Sequence, residues 1–328
     1  MPDEAEPHKA TWMAYTDSTA IWGNRLLANV QSSLARIANA IVPFEPVNML
    51  VNAGSLAAAK TKMDPRINLI VSEIDDLWVR DTGAVFVKLA DGTRAAVNFN
   101  FNGWGRKQAF SRDLKVAAFM AKHSGVPLLA TELVLEGGGI EVDGKGSAII
   151  TESCVLNANR NPGLTKAKCE QELLRLLGIQ KVIWLPGIAG KDITDGHTDF
   201  YARFASTGVV LTHFDPFSDS YDNAVTLKHL EILRTTKDFA GNALPVEVLE
   251  MPRQTRQPNN VDFTAGYVNF YVCNGAVIVP EFGDPAADAR AQAAIAKAYP
   301  SRRIVAVNID PIAEGGGGIH CTTQQEIA

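Results

Sequence analysis

Cysteine is scarce in this chain. Cys154, Cys169, Cys273 and Cys321 are widely separated and form no CxxC pair. That spacing argues against a zinc ligand set and gives no disulfide framework, and it fits reduced thiols in a cytoplasmic compartment. Long apolar runs are missing as well: no stretch approaches eighteen apolar residues, so no membrane span and no membrane partner are expected. The opening MPDEAEPHKATWMAY has no apolar core behind a basic start, which argues against an export signal. Basic blocks interleaved with aromatics are absent, and with a net charge of only -5 a nucleic-acid partner is not expected. No Pro/Ser-rich linker or charge block offers a place to cut, so residues 1–328 read as one domain.

What is present has the balance of an ordinary folded protein, 46% hydrophobic and 20% charged, enough for a sizeable core. Residues 25–41, 111–123, 165–178, 224–239 and 287–299 repeat apolar side chains at helical spacing and predict five helices. Between them lie VNMLVN, WVRDTGAVFVK, GSAIITESCVL, KVIWLP, GVVLTHF, NFYVCNGAVIVP and RIVAVNI, rich in β-branched and aromatic residues and read as strands. The alternation predicts an α/β class.

Reactive residues recur where apolar runs meet glycine-rich turns: WVRDTG, LEGGG, TDGHTD, YVNFYVCNG and GGGGIHC. From Asp81 to Glu136 is 55 residues, then 61 to His197, 72 to Asn269 and 52 to Cys321. A loose period of roughly sixty suits a radial array whose units each send one polar loop to a shared centre.

A thiol preceded by Gly315 to Gly318 can meet a ligand with its backbone unobstructed, and a loop of free N–H groups lowers a thiol's pKa; the alternative is a glycine-rich tail with an incidental cysteine. If Ile319 to Cys321 form a strand, His320 and Cys321 face opposite ways, and the acid/base comes from elsewhere. His197 is the candidate, because Asp195 and Asp199 flank it and can orient its ring and raise its pKa. His197 and Asp199 as metal ligands is a second reading, weakened by the lack of a further His/Cys pair. His8, His123, His213 and His229 read as solvated or capping histidines. Asp81 beside Arg80 reads as a salt bridge and Glu136 as a turn cap when each is taken alone. Together, Asp81, Glu136 and Asp199 beside the Trp78 ring suit a small planar cation with several N–H donors.

These stretches resemble the agmatine deiminase family, related to the bacterial peptidylarginine deiminases among guanidino-group-modifying enzymes. The similarity runs through EPHKATWMA, DLWVRDTGAVFV, FNFNGWG, LEGGGIEVDG, TESCVLNANRNPGLTK, KVIWLPGIAG, DGHTD, YVNFYVCNGAVIVPEFGD and GGGGIHCTTQQ, in the family's order. The resemblance implies a five-bladed α/β propeller of ββαβ-like units in one catalytic domain, with the active site on the axis. It implies Cys321 as nucleophile, His197 as general acid/base, and Asp81, Asp199 and Glu136 as guanidinium-binding and histidine-orienting acids. Trp78 and Asn269 are expected to line the pocket, with Gly318 beside them. The substrate implied is a small guanidino cation, agmatine first of all, hydrolysed to N-carbamoylputrescine and ammonia without metal or organic cofactor. Departures stand at Ala5, Thr16 and Ile193. Many members carry at the last position a carboxylate for the amine tail, so Asp192 and Asp195 on either side become the expected replacements. Other guanidino substrates, free or peptidyl arginine included, and amidinotransfer from the same adduct remain open, as does assembly with further copies of the chain.

Overall fold

Among the described residues, sixteen short strands pair into five small sheets. The computed structural model describes residues 1–257, 259, 260 and 263–328. In chain order the first strands are β1 (His8–Tyr15), β2 (Val47–Val51) and β3 (Asn68–Val71). The second group is β4 (Val85–Lys88), β5 (Arg94–Val97) and β6 (Leu128–Leu129), and the third is β7 (Ile140–Val142), β8 (Ser147–Thr151) and β9 (Lys181–Leu185). The fourth is β10 (Ala202–Phe204), β11 (Val210–Phe214) and β12 (Val246–Glu250), and the fifth β13 (Tyr271–Cys273), β14 (Ala276–Glu281) and β15 (Arg303–Asn308).

Groups two to five follow one rule: an antiparallel hairpin, then a helical crossover to a parallel third strand. A parallel partner cannot be reached by a tight turn, which is why each crossover contains a helix. The last strand, β16 (Gln324–Ile327), returns to pair antiparallel with β1, which is itself parallel to β2. The first group therefore has the same ββαβ order, with its leading strand supplied by the far end of the chain. The result is a mixed α/β, propeller-like arrangement of pseudo-symmetric units.

Local chemistry sets the helix limits. Thr19–Ile41 starts after Ser18, whose side-chain oxygen accepts from Ile21 N–H, and is broken at Gly23, where φ is 62°. The regular amphipathic repeat begins only beyond that break, as predicted from residue 25. Lys166–Leu177 is capped by Thr165 and stopped by left-handed Gly178, and its buried face carries Cys169, Leu173, Leu176 and Leu177. Burying one such leucine contributes roughly 1.5–3 kcal/mol. Pro285–Ala298 opens on capping Asp284 with proline in its first turn.

Some local predictions need correction. Residues 79–82 of WVRDTG form a helical turn before β4, so Asp81 does not end a strand. Residues 152–155 turn helical after β8, and NFYVCNGAVIVP is a hairpin reversing at Gly275. His8, His213 and His229 are buried, not solvated, while His123 is exposed as expected. Apolar composition gave no hint of them, because each sits among residues from distant segments. Among the described residues no helix is long and apolar enough to cross a membrane.

Candidate active site

Each unit's leading strand is preceded by a loop that carries one or two of the candidate site residues. Asp81 precedes β4, Glu136 precedes β7, His197 and Asp199 precede β10, Asn269 precedes β13 and Cys321 precedes β16. The irregular sixty-residue spacing thus marks equivalent positions in five units, and all six side chains are buried.

Cys321 lies in a 3-10 turn, His320–Thr322, not in a strand. Asn269 holds it from two sides: its side-chain N–H donates to Sγ at 3.3 Å and its oxygen accepts from Cys321 N–H at 3.4 Å. Sγ also lies 3.6 Å from Asp199 Oδ2. Burial, then the charges of Asp199 and Asp81, push the thiol well above its usual range, against the lowering effect of Gly318 and Asn269. The glycine run is a requirement of close packing. A Cβ at Gly317 would collide with the Trp78 indole and one at Gly318 with the Asn269 side chain.

His197 is oriented by distant acids, not by its sequence neighbours. Its Nε2 is 3.3 Å from Glu136 Oε2 and its Nδ1 is 3.7 Å from Asp81 Oδ1. Burial opposes charging the ring, but Asp81, Cys154 and Glu136 outweigh it and hold His197 well above the usual histidine range. Gly138 allows the approach, since a Cβ there would lie 2.7 Å from His197 Nδ1 and 2.8 Å from Asp81 Oδ1. Asp81 also accepts from Gly138 N–H at 3.1 Å and Trp104 Nε1 at 3.0 Å. Burial, with Asp199 and Glu136 nearby, pushes it up to about 6 despite His197. Glu136 is lowered: burial raises it, but the His197 hydrogen bond and the Arg160 charge prevail.

The flanking acids do other work. Asp195 is ion-paired with Arg160 and with Lys107, accepts from Asn159 and Gly190, and is not part of the inner cavity wall. Asp192 is exposed and caps its own turn through Thr194 and Gly196 N–H. Asp195 is thus taken up by cations, while Asp192 caps its own turn and lines a neighbouring cavity, and neither lines the cavity in front of Cys321. Asp199 is turned away from a shared metal with His197: its Oδ2 meets His320 Nδ1 at 2.8 Å, and Oδ1 is buried without a partner among the described residues. Burial raises Asp199, yet His320, His197 and Arg203 pull it below the usual carboxylate range.

Sequence reasoning missed Arg160, Cys154 and the network around His320. Arg160 Nε donates to Glu136 at 3.1 Å; its only signal was its place in NANRNPG. Cys154 Sγ lies 3.5 Å from Glu136, and burial followed by the Glu136 charge pushes its thiol to about 11. Glu136, Cys154 and His197 form the one group of three among the described residues that could hold a metal, but Arg160 already occupies Glu136 and the thiol stays protonated near neutral pH. His320 Nε2 meets Glu4 at 2.8 Å, and Glu4 also receives Arg80 and Arg203, each at 2.9 Å. Burial, Arg203 and Arg80 push His320 down, against the opposing pull of the Glu4 and Asp199 carboxylates at its two nitrogens.

In front of Cys321 is a cavity of about 190 Å³, walled by Trp22, Trp78, Trp104, Asp81 and Ile193. A buried thiol, a raised histidine, carboxylates and aromatic walls are the groups that covalent chemistry on a planar cation requires. Five ββαβ-like units around such a site define a deiminase class of protein. The chain belongs to the Porphyromonas-type peptidyl-arginine deiminase family, whose model matches residues 1–326. Its relatives place it among the agmatine deiminases of that family. The agmatine deiminase of Stutzerimonas stutzeri is 36% identical, over 100% of this chain and 95% of that protein. That of Pseudomonas aeruginosa is 35% identical over the same shares. The solved agmatine deiminase of Enterococcus faecalis superposes with a TM-score of 0.92 at 31% identity, covering 99% of this chain and 95% of that one.

Proposed function

We propose that the chain hydrolyses the guanidino group of agmatine, giving N-carbamoylputrescine and ammonia, with Cys321 as nucleophile and His197 as general acid and base. The observation that carries this reading is the Cys321 thiol in the wall of an aromatic-walled cavity that Asp81 also lines, with Asp199 Oδ2 3.6 Å from the sulfur and the His197 ring held beside them by Asp81 and Glu136.

A guanidinium is resonance-stabilised and stays charged at neutral pH, so its carbon is a poor electrophile and needs positioning. Asp199 Oδ1 and Asp81 accept its N–H groups, and the Trp78 face covers the planar cation. Arrival of that positive charge offsets the two carboxylates that hold the thiol protonated, so the sulfur releases its proton to solvent water as substrate binds, His197 being already protonated. The thiolate adds to the guanidinium carbon, and imidazolium His197 protonates the departing nitrogen. Ammonia leaves an S-alkylthiouronium adduct and a neutral His197. The ring then takes a proton from water, the hydroxide adds to the same carbon, and collapse to the ureido product frees the sulfur. Glu136 and Asp81 keep the ring aimed in both halves. Residues 1–328 act as one catalytic domain on this reading, because loops from all five units supply the site. The four free, buried cysteines suit a reducing compartment such as the cytoplasm.

The test is ammonia release from agmatine, arginine, 4-guanidinobutyrate and an arginine peptide, with Cys321→Ala as blank. Release from agmatine that vanishes in Cys321→Ala is expected, and a variant that still turned over would sink the thiol mechanism. Release from arginine or the peptide alone would mean a different guanidino substrate.

A further inference from the structure

Among the described residues, the wall of the inner cavity includes three carboxylates, Asp76, Asp81 and Glu314, and no lysine or arginine. One guanidinium supplies one positive charge. Asp81 lies with Cys321 and His197 and is assigned to it. Asp76 is buried and occupied, its two oxygens accepting from Trp22 Nε1 at 2.7 Å and Gln108 Nε2 at 3.1 Å. Glu314 differs from both. It is half-buried, and its carboxylate makes no hydrogen bond or ion pair with another described residue.

We propose that Glu314 receives a second positive charge on the substrate, so that the site selects a guanidine with an ammonium tail over one with a neutral or acidic tail. The proposal rests on the guanidinium reading for the place of the first charge, and deepens it by naming the residue that reads the other end. Glu314 follows the short helix Asp310–Ala313, where its N–H donates to Asp310 O at 2.8 Å. Gly315 and Gly317 then pack against Trp22 and Trp78, fixing the path of the chain from Glu314 to Cys321. One backbone segment thus carries both the reacting sulfur and the proposed tail acceptor, which sets a constant spacing between them.

The surroundings match an ammonium. Glu314 also borders an outer cavity of about 710 Å³ that shares Ile193, Thr194 and Phe200 with the inner one. An ammonium at that junction keeps part of its hydration while gaining one charge-assisted hydrogen bond, which avoids the full cost of burying a charge. Ile193 leaves its side of the wall apolar, so Glu314 is the carboxylate there with no competing donor. A carboxylate-tailed guanidine would meet the Glu314 carboxylate in a stretch of inner wall that has no lysine or arginine among the described residues, Lys107 and Lys191 lying in the wall of the outer cavity.

The experiment is calorimetric titration of the Cys321→Ala protein, with and without Glu314→Gln, using agmatine, butylguanidine and 4-guanidinobutyrate. Glu314→Gln is expected to weaken agmatine by about tenfold or more while changing butylguanidine less than about twofold. It should also tighten 4-guanidinobutyrate. No loss for agmatine, or an equal loss for agmatine and butylguanidine, overturns the proposal. Failure of the hydrolytic reading shows separately, as absence of ammonia release by the unsubstituted protein, while the binding comparison stands by itself.

Discussion

At Cys321 the same carboxylates that are proposed to attract the substrate also suppress the proposed nucleophile. Burial, Asp199 and Asp81 raise the thiol, so little thiolate exists near neutral pH until a cation enters. Asp81→Asn separates the two effects. Removing that negative charge lowers the thiol's pKa, so alkylation of Cys321 by iodoacetamide near neutral pH should become faster. Turnover should move the other way, with kcat/KM down about 100-fold or more, because the guanidinium and His197 both lose a partner. Stopped assays of ammonia release beside alkylation rates followed by mass spectrometry check both directions. Slower alkylation together with slower turnover would contradict the electrostatic account.

Within the fourth unit, the helix Asn223–Thr235 packs on its sheet through neutral histidines. His229 is buried on that helix, stands edge-on to Tyr201 at 4.6 Å between ring centroids, and its Nε2 accepts from Gly187 N–H. Burial, then His213, pushes His229 from 6.5 down to about 3, and burial pushes His213 on β11 to about 4. With the folded pKa depressed, the unfolded chain takes up the proton first as pH falls. The stability these rings give is complete above about pH 6.5 and is lost progressively toward their folded values. His229→Gln removes one of the two titrations, so the drop in unfolding free energy between about pH 7.5 and about pH 5 should shrink by about 2 kcal/mol. Urea denaturation at the two pH values measures it, and an unchanged drop would mean that this ring does not titrate as its burial requires.

For the molecule as a whole, the ring closes where opposite ends of the chain meet. β16 pairs with β1, and Glu4 sits beneath the closure, bound to Arg80, Arg203, His320 and the Val272 N–H at 2.8 Å. Four of the five units touch that one carboxylate. Arg80 and Arg203 both pair with Glu4 in a buried network that also holds Glu141, His320 and Asp199, so deleting the Glu4 charge leaves the guanidinium groups buried with fewer partners. Glu4→Gln should cost about 3–5 kcal/mol. It should also slow turnover, since His320 positions Asp199 through the same contact. A thermal midpoint within a degree of the unsubstituted protein's would refute that account, and ammonia release from the folded fraction reads the second effect.

The α/β class, the five long helices and the glycine-bounded positions of Asp81, Glu136, His197, Asn269 and Cys321 were determined by the sequence. They depend on periodicity, capping and turn chemistry, which act over a few residues. Pairing of the acids was not legible there. Asp195 and Asp199 adjoin His197 in the chain, yet the fold gives one to Arg160 and Lys107 and the other to His320, while Asp81 and Glu136 arrive from two other units to hold the ring. The Glu4 network, the buried histidines and the place of Glu314 in the cavity wall were likewise decided by the tertiary structure alone. Hydrogen bonding and desolvation depend on which atoms are brought within a few ångströms in space, and five loops meeting on one axis bring together residues that sequence distance keeps apart.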